Sequence, residues 1–405
     1  MKPLHSIKCI IPFTQLFINY RGYCHSCCAV WTVTGNIGRL KKQSIMDIWN
    51  GERIQYMRKA ILENQMEKVC NFDYCPYAIE NKDIKLDELK GDDYHNAIVE
   101  QIKLGKTKLD TAPYVLAVAN SGKCNLKCIM CASNDKYIAD IDGYDENLYT
   151  KQLPEILPGV SKLLLTGNGD PLFNKHARKF LQTLDPVKYP NLKIRITTNA
   201  NLLTPKIWAT IKHNNFDGIH VSVDAATKST YEKVRINGNW DLLMNNLKMI
   251  RELKREKTFS WFVLSFVVLK TNYKEIKQFV EMGLELECDT ILFQKDFSYV
   301  NLKENINLIH DKKVMIEIGQ ILQDPIFENW QVDTTLINEC RPYASLKSNF
   351  WDKALTKIIA TTFHYPLRSI YSLLKHAPFI IDASEFYKNN IKSKLSTNKT
   401  YKKKL

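Results

Sequence analysis

From residue 112 to about 300 the chain alternates short apolar runs with longer stretches whose apolar residues recur at helical spacing. The strand candidates are Tyr114–Ala119, Lys162–Thr166, Lys193–Thr198, Gly218–Val223, Ser260–Val268 and Thr290–Phe293. Helical candidates lie between them, at about Leu148–Ile156, Lys175–Leu184, Pro205–His213, Trp240–Lys254 and Tyr273–Glu281. Runs rich in Val, Ile and Leu suit strands buried on both faces, as in a parallel sheet covered by helices. An α/β fold follows, and either a curved partial barrel or an open doubly wound sheet satisfies the pattern. In both, ligands gather at the C-terminal ends of the strands.

Four chemically suggestive segments fall at those ends. The first strand runs into Cys124-Asn-Leu-Lys-Cys128-Ile-Met-Cys131, the second into Thr166-Gly-Asn-Gly-Asp-Pro171, the third into Thr198-Asn199 and the fourth into Ser222-Val-Asp224. Three thiols within eight residues can close around one metal centre and leave a coordination position open, as a catalytic site requires. Three quarters of a zinc site, or three unrelated buried thiols, is the plainer alternative. Gly167 and Gly169 leave backbone amides and carbonyls open to a ligand, and Asp170 can accept hydrogen bonds from an amino group. Pro171 stiffens the exit from that turn. Ser222 and Asp224 suit ribose hydroxyls or an ammonium. Arg235, in the following loop, can pair with a carboxylate or stand as a surface arginine.

Eleven cysteines occur in the chain. An odd number, clustered and with no secretory leader ahead of them, points to metal ligation in a reducing cytoplasm rather than to disulfides. No apolar stretch is long enough to span a bilayer. Residues 1–80 form a first unit, with strands expected at Leu16–Tyr20 and at Tyr23–Val33, the second carrying Cys24, Cys27 and Cys28. Ser44 reads as an N-cap with Asp47 three residues on, ahead of Ile45, Ile48, Trp49, Met57 and Ile61 at helical spacing. Cys70-Asn-Phe-Asp-Tyr-Cys75 closes the unit. Residues 81–111 read as a charged linker helix with loops, and 301–386 as a helical region with helices at Val314–Leu322 and Trp351–Lys375. The face of the second helix with Phe363, Leu367, Ile370, Leu373 and Leu374 suits a core or a docking surface. The net charge of +14 is uneven, because the last nineteen residues, 387–405, carry seven Lys and no acid. That tail reads as a solvated end. No nucleic-acid partner is expected, and contact with an anionic membrane surface is the lesser alternative.

Cys124-x3-Cys128-x2-Cys131, with Met130 before the last thiol, resembles the signature of the radical S-adenosylmethionine (radical SAM) enzymes. Asn168-Gly169-Asp170-Pro171 resembles that family's Gly-Gly-Glu-Pro motif, with Asn for the first Gly and Asp for Glu. Ser222 and Asp224 fall where the family's fourth-strand ribose contacts lie, and Tyr231 to Gly238 is similar to the segment beyond. The first unit resembles the auxiliary-cluster module called SPASM, or its shortened twitch form. That likeness rests on Cys9 with Pro12-Phe13, Gly22 with Cys27, Ile37-Gly38, the Ser44–Asn50 run and Cys70-x4-Cys75. Such modules usually follow the core, whereas here the unit precedes it.

The resemblance implies a partial (β/α)6 TIM-type barrel at 112–300. It implies a [4Fe–4S] cluster on Cys124, Cys128 and Cys131, whose open iron takes S-adenosylmethionine (SAM) and whose electron cleaves it to a 5′-deoxyadenosyl radical. SAM contacts are expected from Met130, Gly167, Asn168, Gly169, Asp170, Pro171, Thr198, Asn199, Ser222, Asp224 and Arg235. A second [4Fe–4S] cluster is expected on Cys9, Cys27, Cys70 and Cys75, with Cys24 and Cys28 competing for the second position and a structural zinc ion as the alternative occupant. A low-potential donor of the flavodoxin or ferredoxin type would supply electrons. The reading favoured is hydrogen abstraction from a sugar-like or other small molecule, in a dehydrogenation or an epimerisation. A peptide-modifying maturase and a non-catalytic zinc scaffold are the other readings.

Overall fold

The computed structural model describes residues 4–27, 32–41, 43–72, 75, 78, 81–119, 122–131, 144–295, 311–334 and 337–345. Ten strands among them share one sheet: β1 (Gln15–Ile18), β2 (Tyr23–His25), β3 (Gly38–Arg39), β4 (Val115–Ala119), β5 (Lys162–Thr166), β6 (Lys193–Thr198), β7 (Phe216–Ser222), β8 (Trp261–Val268), β9 (Thr290–Lys295) and β10 (Val332–Asp333). Their spatial order is β10-β9-β8-β7-β6-β5-β4-β1-β2-β3. From β4 to β9 every neighbour is parallel and follows chain order. A doubly wound sheet reverses strand order at a switch point. This one does not, so the core is the partial (β/α)6 barrel.

Alternation along each strand separates two faces. Leu116, Val118, Ile194, Ile196, Ile219 and Val221 join the large core with helix residues such as Ile211, Leu243 and Leu247. On the opposite, inner face Ala117 and Ala119 cluster apart with Phe17 and Leu164. The registers Thr197↔His220↔Val263 and Ser222↔Ser265 place small and polar side chains on that inner face. Several barrel helices start at a side chain that accepts backbone N–H groups. Asn174, Thr204, Thr227 and Asn239 each do so, which stops the incoming loop and aims the helix back along the sheet. The sequence reading overlooked the Thr227-capped helix, Lys228–Val234. Expected Leu148–Ile156 is not a plain α-helix: a π-helical turn, Leu148–Gln152, precedes Leu153–Ile156. Pro154 has no N–H to give to the ladder there. Tyr273–Glu275 is a separate 3-10 turn ahead of the helix Ile276–Glu285.

The N-terminal unit does not stand apart. Its strand β1 pairs in parallel with β4, from Gln15↔Val115 to Ile18↔Val118, and β2 and β3 continue the sheet antiparallel. The expected strand Tyr23–Val33 ends at His25, so only Cys24 lies on it, and Cys28 lies outside the described residues. Ser44 and Asp47 make the expected capping box, but Asn50-Gly51 divides the predicted helix into Ile45–Trp49 and Glu52–Leu62. The stretch expected to be a linker holds the helix Asp93–Lys103, with Ile98, Val99 and Ile102 in the core. Three apolar residues among many charges are enough to seat it. Beyond 311, the helix Lys312–Ile321 matches expectation, while β10 adds a strand parallel to β9. The expected helix Trp351–Lys375 and the basic tail lie outside the described residues. No described helix is long and apolar enough to cross a membrane.

Arg58 ties the unit to its surroundings. Its guanidinium is fully buried, lies 4.2 Å over the Trp49 ring, and donates to Pro12 O at 2.9 Å and Thr107 O at 2.8 Å. Burial lowers its pKa to about 9. Beside it, Asn50 donates from Nδ2 to Leu109 O at 2.9 Å and accepts from Leu109 N at 2.8 Å. Asn50→Ala leaves both backbone groups of Leu109 unpartnered. It should lower unfolding free energy by about 1–3 kcal/mol, read as a fall in the urea midpoint.

Candidate functional site

The cysteine loop leaves β4 and lies across the ends of the next strands, held at both ends. At its start, Lys123 O accepts from Asp170 N at 2.9 Å. A side chain at position 169 would meet that same carbonyl at 2.6 Å, and Gly169 has φ +85°, so glycine is required here on two grounds. At its far end, Lys127–Cys128 pairs antiparallel with Arg235–Ile236, and Ile129 N donates to Val234 O at 2.9 Å. Met130 packs with Leu126, Cys128, Val234 and Leu269 in a small core of its own.

Side chains complete the hold. Asn199 Nδ2 donates to Asn125 Oδ1 at 2.9 Å and to Cys124 Sγ at 3.6 Å. Leu126 N also points at the Cys124 sulfur, at 3.4 Å. Asp170 is buried, and its Oδ2 accepts from Thr198 Oγ1 at 2.8 Å and Asn199 N at 2.9 Å, while Oδ1 accepts from Leu172 N at 2.9 Å. Burial raises its pKa against those hydrogen bonds. Asp224 is fully buried with φ +64°, accepts from Val267 N at 2.8 Å and lies 2.6 Å from Arg235 Nη2. Arg235 also donates to Val223 O at 3.2 Å and to Cys128 Sγ at 3.7 Å. Burial opposes its charge, but Asp224 and the Cys128 sulfur outweigh burial and hold the guanidinium protonated.

Most of the expected cofactor contacts therefore converge on one place. Their bonds run differently from the expectation. Asp170, Thr198, Asp224 and Arg235 are partnered within the chain and position the cysteine loop. Ser222, half-buried on the inner face with Ser265 Oγ at 3.4 Å, and the half-buried Gly167 and Asn168 line the same end of the barrel. Pro171 is buried behind the turn. Sequence reasoning gave no role to Asn125 or Asn201, and marked Tyr231 only as the start of the segment after the fourth strand. Asn201 Nδ2 donates to Tyr231 OH at 2.6 Å, and Asn201 Oδ1 accepts from Asn239 N at 2.8 Å, which joins the third strand end to the segment after the fourth. The repeated Asn in Thr198-Asn-Ala-Asn201 was the available signal.

The thiols fall into two sets. Cys124, Cys128 and Cys131 lie within electrostatic range of one another, and burial pushes Cys124 up to about 11 and Cys128 to about 12. In the N-terminal unit, Cys70 shares a hydrogen bond with Cys75 and feels the charges of Cys75, Cys9 and Cys27. Burial, followed by the neighbouring Cys75, carries Cys9 to about 12 against a hydrogen bond from the Ile11 backbone. Cys24 stands outside this set: burial alone raises its pKa, and its sulfur turns to Gly22 O at 3.9 Å. Among the described residues no three Cys, His, Asp or Glu side chains stand close enough to hold a single metal ion, and what joins each thiol set is the charge its members feel from one another. Soft donors arranged in a three and a four fit iron–sulfur clusters.

Residues 121–283 match the model of the radical SAM superfamily, and residues 9–76 match that of an iron–sulfur cluster-binding domain, SPASM. The chain carries a radical SAM domain with a SPASM domain ahead of it. The two domains imply a SAM-binding [4Fe–4S] cluster and an auxiliary cluster. GTP 3′,8-cyclase of Petrotoga mobilis is 26% identical over 221 residues, 50% of this chain and 65% of that protein. Mycofactocin maturase MftC of Mycolicibacterium smegmatis is 23% identical over 190 residues, 46% of this chain and 44% of that one. The chain thus spans less than two thirds of each of these relatives. Among solved structures, Streptococcus suis SuiB bound to S-adenosylmethionine is 16% identical, with 73% of this chain and 64% of that chain covered and a TM-score of 0.41.

His220 is a further candidate that the sequence reading missed. It lies on the inner face two residues before Ser222, 1% exposed, with neither ring nitrogen hydrogen-bonded among the described residues. Burial, then the charges of Arg195 and Arg235, lowers its pKa to about 4, so the imidazole is neutral at pH 7. An unfolded chain takes up this proton near pH 6.5 while the folded one resists it down to about pH 4. Stability contributed by neutral His220 is therefore present above pH 6.5 and lost as pH falls through that window. Between pH 7 and pH 5 the loss should be about 2 kcal/mol by the linkage relation. His220→Phe should remove that part of the slope, seen by comparing urea midpoints of variant and parent at the two pH values.

Proposed function

We propose that this protein cleaves SAM reductively at the strand ends of its barrel and uses the resulting radical to remove hydrogen from a polar small molecule, sugar-like in character, in a dehydrogenation or an epimerisation. The observation that carries the reading is the pinning of the cysteine loop against the ends of β5, β6 and β7: Asp170 N holds Lys123 O, Asn199 holds the Cys124 sulfur and Arg235 the Cys128 sulfur. When bound, the cluster supplies one electron to the sulfonium of SAM and so yields methionine and a 5′-deoxyadenosyl radical. Cys124, Cys128 and Cys131 would hold it and leave one iron open. Gly169 keeps the turn after β5 free of a side chain against the loop, and Gly167, Asn168 and Ser222 offer amides, carbonyls and a hydroxyl beside it. Asp170, Thr198 and Asp224 act behind these groups, fixing the strand ends.

The substrate reading rests on the inner face, where Thr197, His220, Ser222 and Ser265 give small, uncharged hydrogen-bonding groups below the thiols. Modification of a peptide is the second reading, favoured by the SPASM match and by likeness to a mycofactocin maturase. Cys9, Cys27, Cys70 and Cys75 would hold the auxiliary cluster with no open position, which suits electron transfer better than direct substrate ligation. A flavodoxin- or ferredoxin-type protein would deliver the electron.

Replacing Cys124, Cys128 and Cys131 together with Ala should abolish 5′-deoxyadenosine formation from SAM under dithionite. Product from the triple variant at the parent's rate would sink the assignment. Cys70→Ala with Cys75→Ala should remove about half of the iron and sulfide after anaerobic reconstitution, since the two thiols left, Cys9 and Cys27, are too few to hold the auxiliary cluster. Uncoupled SAM cleavage should survive in that variant. Undiminished iron there, or one zinc and no sulfide in the parent, would refute the auxiliary cluster.

A further inference from the structure

Arg235 stands where an arginine could grip the carboxylate of a ligand, yet its donors serve the chain itself. Nη2 is 2.6 Å from Asp224 Oδ2, Nε donates to Val223 O at 3.2 Å, and Nη1 donates to Cys128 Sγ at 3.7 Å. Arg235 is 7% exposed and Asp224 is fully buried. The residue is also paired directly opposite Cys128 in the short antiparallel ribbon. Backbone and side chain therefore both fix the guanidinium at the sulfur. A long flexible side chain reaching that sulfur from elsewhere would not hold its charge so closely.

We propose that the Arg235–Asp224 pair sets the reduction potential of the cluster that Cys128 helps to hold. The proposal rests on the reading of Cys124, Cys128 and Cys131 as the cluster ligands. Reduction transfers one electron from a low-potential one-electron donor, with no proton moved and no bond changed, so the ligand shell must accept one more negative charge. A buried cation donating to a ligand sulfur favours that charge, and hydrogen bonds to cluster sulfurs are among the main controls on potential. Asp224 acts in the opposite sense, because its carboxylate cancels part of the guanidinium's field from behind. Arg235 raises the potential and Asp224 restrains the rise. The two charges also keep each other's burial tolerable, since an unpaired one would be costly here.

The test uses the full-length protein, reconstituted with iron and sulfide, in a redox titration with dithionite followed by electron paramagnetic resonance. The relevant cluster is the one whose signal changes when SAM is added. Arg235→Gln should leave that cluster about tenfold less reduced at a fixed ambient potential, a downward shift of about 59 mV for one electron. Asp224→Asn, nearly isosteric, should shift it upward, and Arg235→Lys should fall between the parent and Arg235→Gln. Opposite signs distinguish charge tuning from simple loosening of the loop, which would move both variants alike. Shifts of one sign in Arg235→Gln and Asp224→Asn, or no shift, would overturn the proposal while leaving the ligand assignment standing. Should Arg235→Gln fail to take up iron, an upward shift in Asp224→Asn still supports it and a downward or absent shift overturns it. A parent protein without a SAM-responsive signal would overturn both.

Discussion

A loop of irregular backbone keeps its place only if something outside it satisfies its polar groups, and here the backbone of Val234–Ile236 does so at the distal end, with the buried Arg235–Asp224 pair fixing that segment. Burying two charges is costly, and the cost is tolerable only when each is paired and hydrogen-bonded. Arg235 meets a carboxylate, a carbonyl and a sulfur, and Asp224 meets a guanidinium and a backbone N–H. The pair joins the end of β7 to the ribbon opposite Cys128, and that ribbon positions Ile129 and Met130 for the small core beneath the thiols. Without the pair the guanidinium at the Cys128 sulfur is lost, and the ribbon's backbone bonds alone hold the distal end. The proximal anchor at Lys123 would remain, since it depends on Asp170 and Gly169 instead.

The second constraint is the sheet edge. A six-stranded partial barrel leaves β4 with unpaired N–H and C=O groups along one side, a liability in any open sheet. The SPASM domain covers this edge with β1, in the same parallel sense as the barrel strands. Arg58, Trp49 and Asn50 then clasp the segment that leads into β4. This arrangement gives a physical reason for a cluster-binding unit placed ahead of the core. It supplies a strand that the core lacks, and it joins the domain that carries the four-thiol set to the sheet from which the three-thiol loop leaves.

The strands of the barrel were legible in the sequence because buried parallel strands must be apolar on both faces. Boundaries came within a few residues, with β7 beginning at Phe216 instead of Gly218 and β4 at Val115 instead of Tyr114. The Ser44 capping box was legible for the same local reason, since its hydrogen bonds join residues three apart. What was missed depended on distant partners or on a local interruption. Tyr23–Val33 stops early at His25, the linker's three buried residues needed a core to be buried in, and Pro154 disturbed a helix whose apolar spacing looked sound.

At the site the division is sharper. Spacing alone marked Cys124, Cys128 and Cys131 as one ligand set, because three thiols so close in sequence can reach one centre whatever the fold. The four thiols of the N-terminal unit are spread over 66 residues from Cys9 to Cys75, and the sequence left Cys24, Cys27 and Cys28 in competition. Tertiary structure brings Cys27 to Cys70 and turns Cys24 away toward Gly22. It also decided the bonds of Asp170, Asp224 and Arg235. A sequence shows that such groups can bind a ligand, but whether their hydrogen bonds are already taken depends on what the folded chain packs around them. The sequence determined the strand–helix alternation and the thiol spacing, because both follow from local geometry and periodic burial. Only the fold decided which polar groups are already bonded within the chain and hold the loop, because that depends on neighbours more than a hundred residues away, as Arg235 is from Cys128.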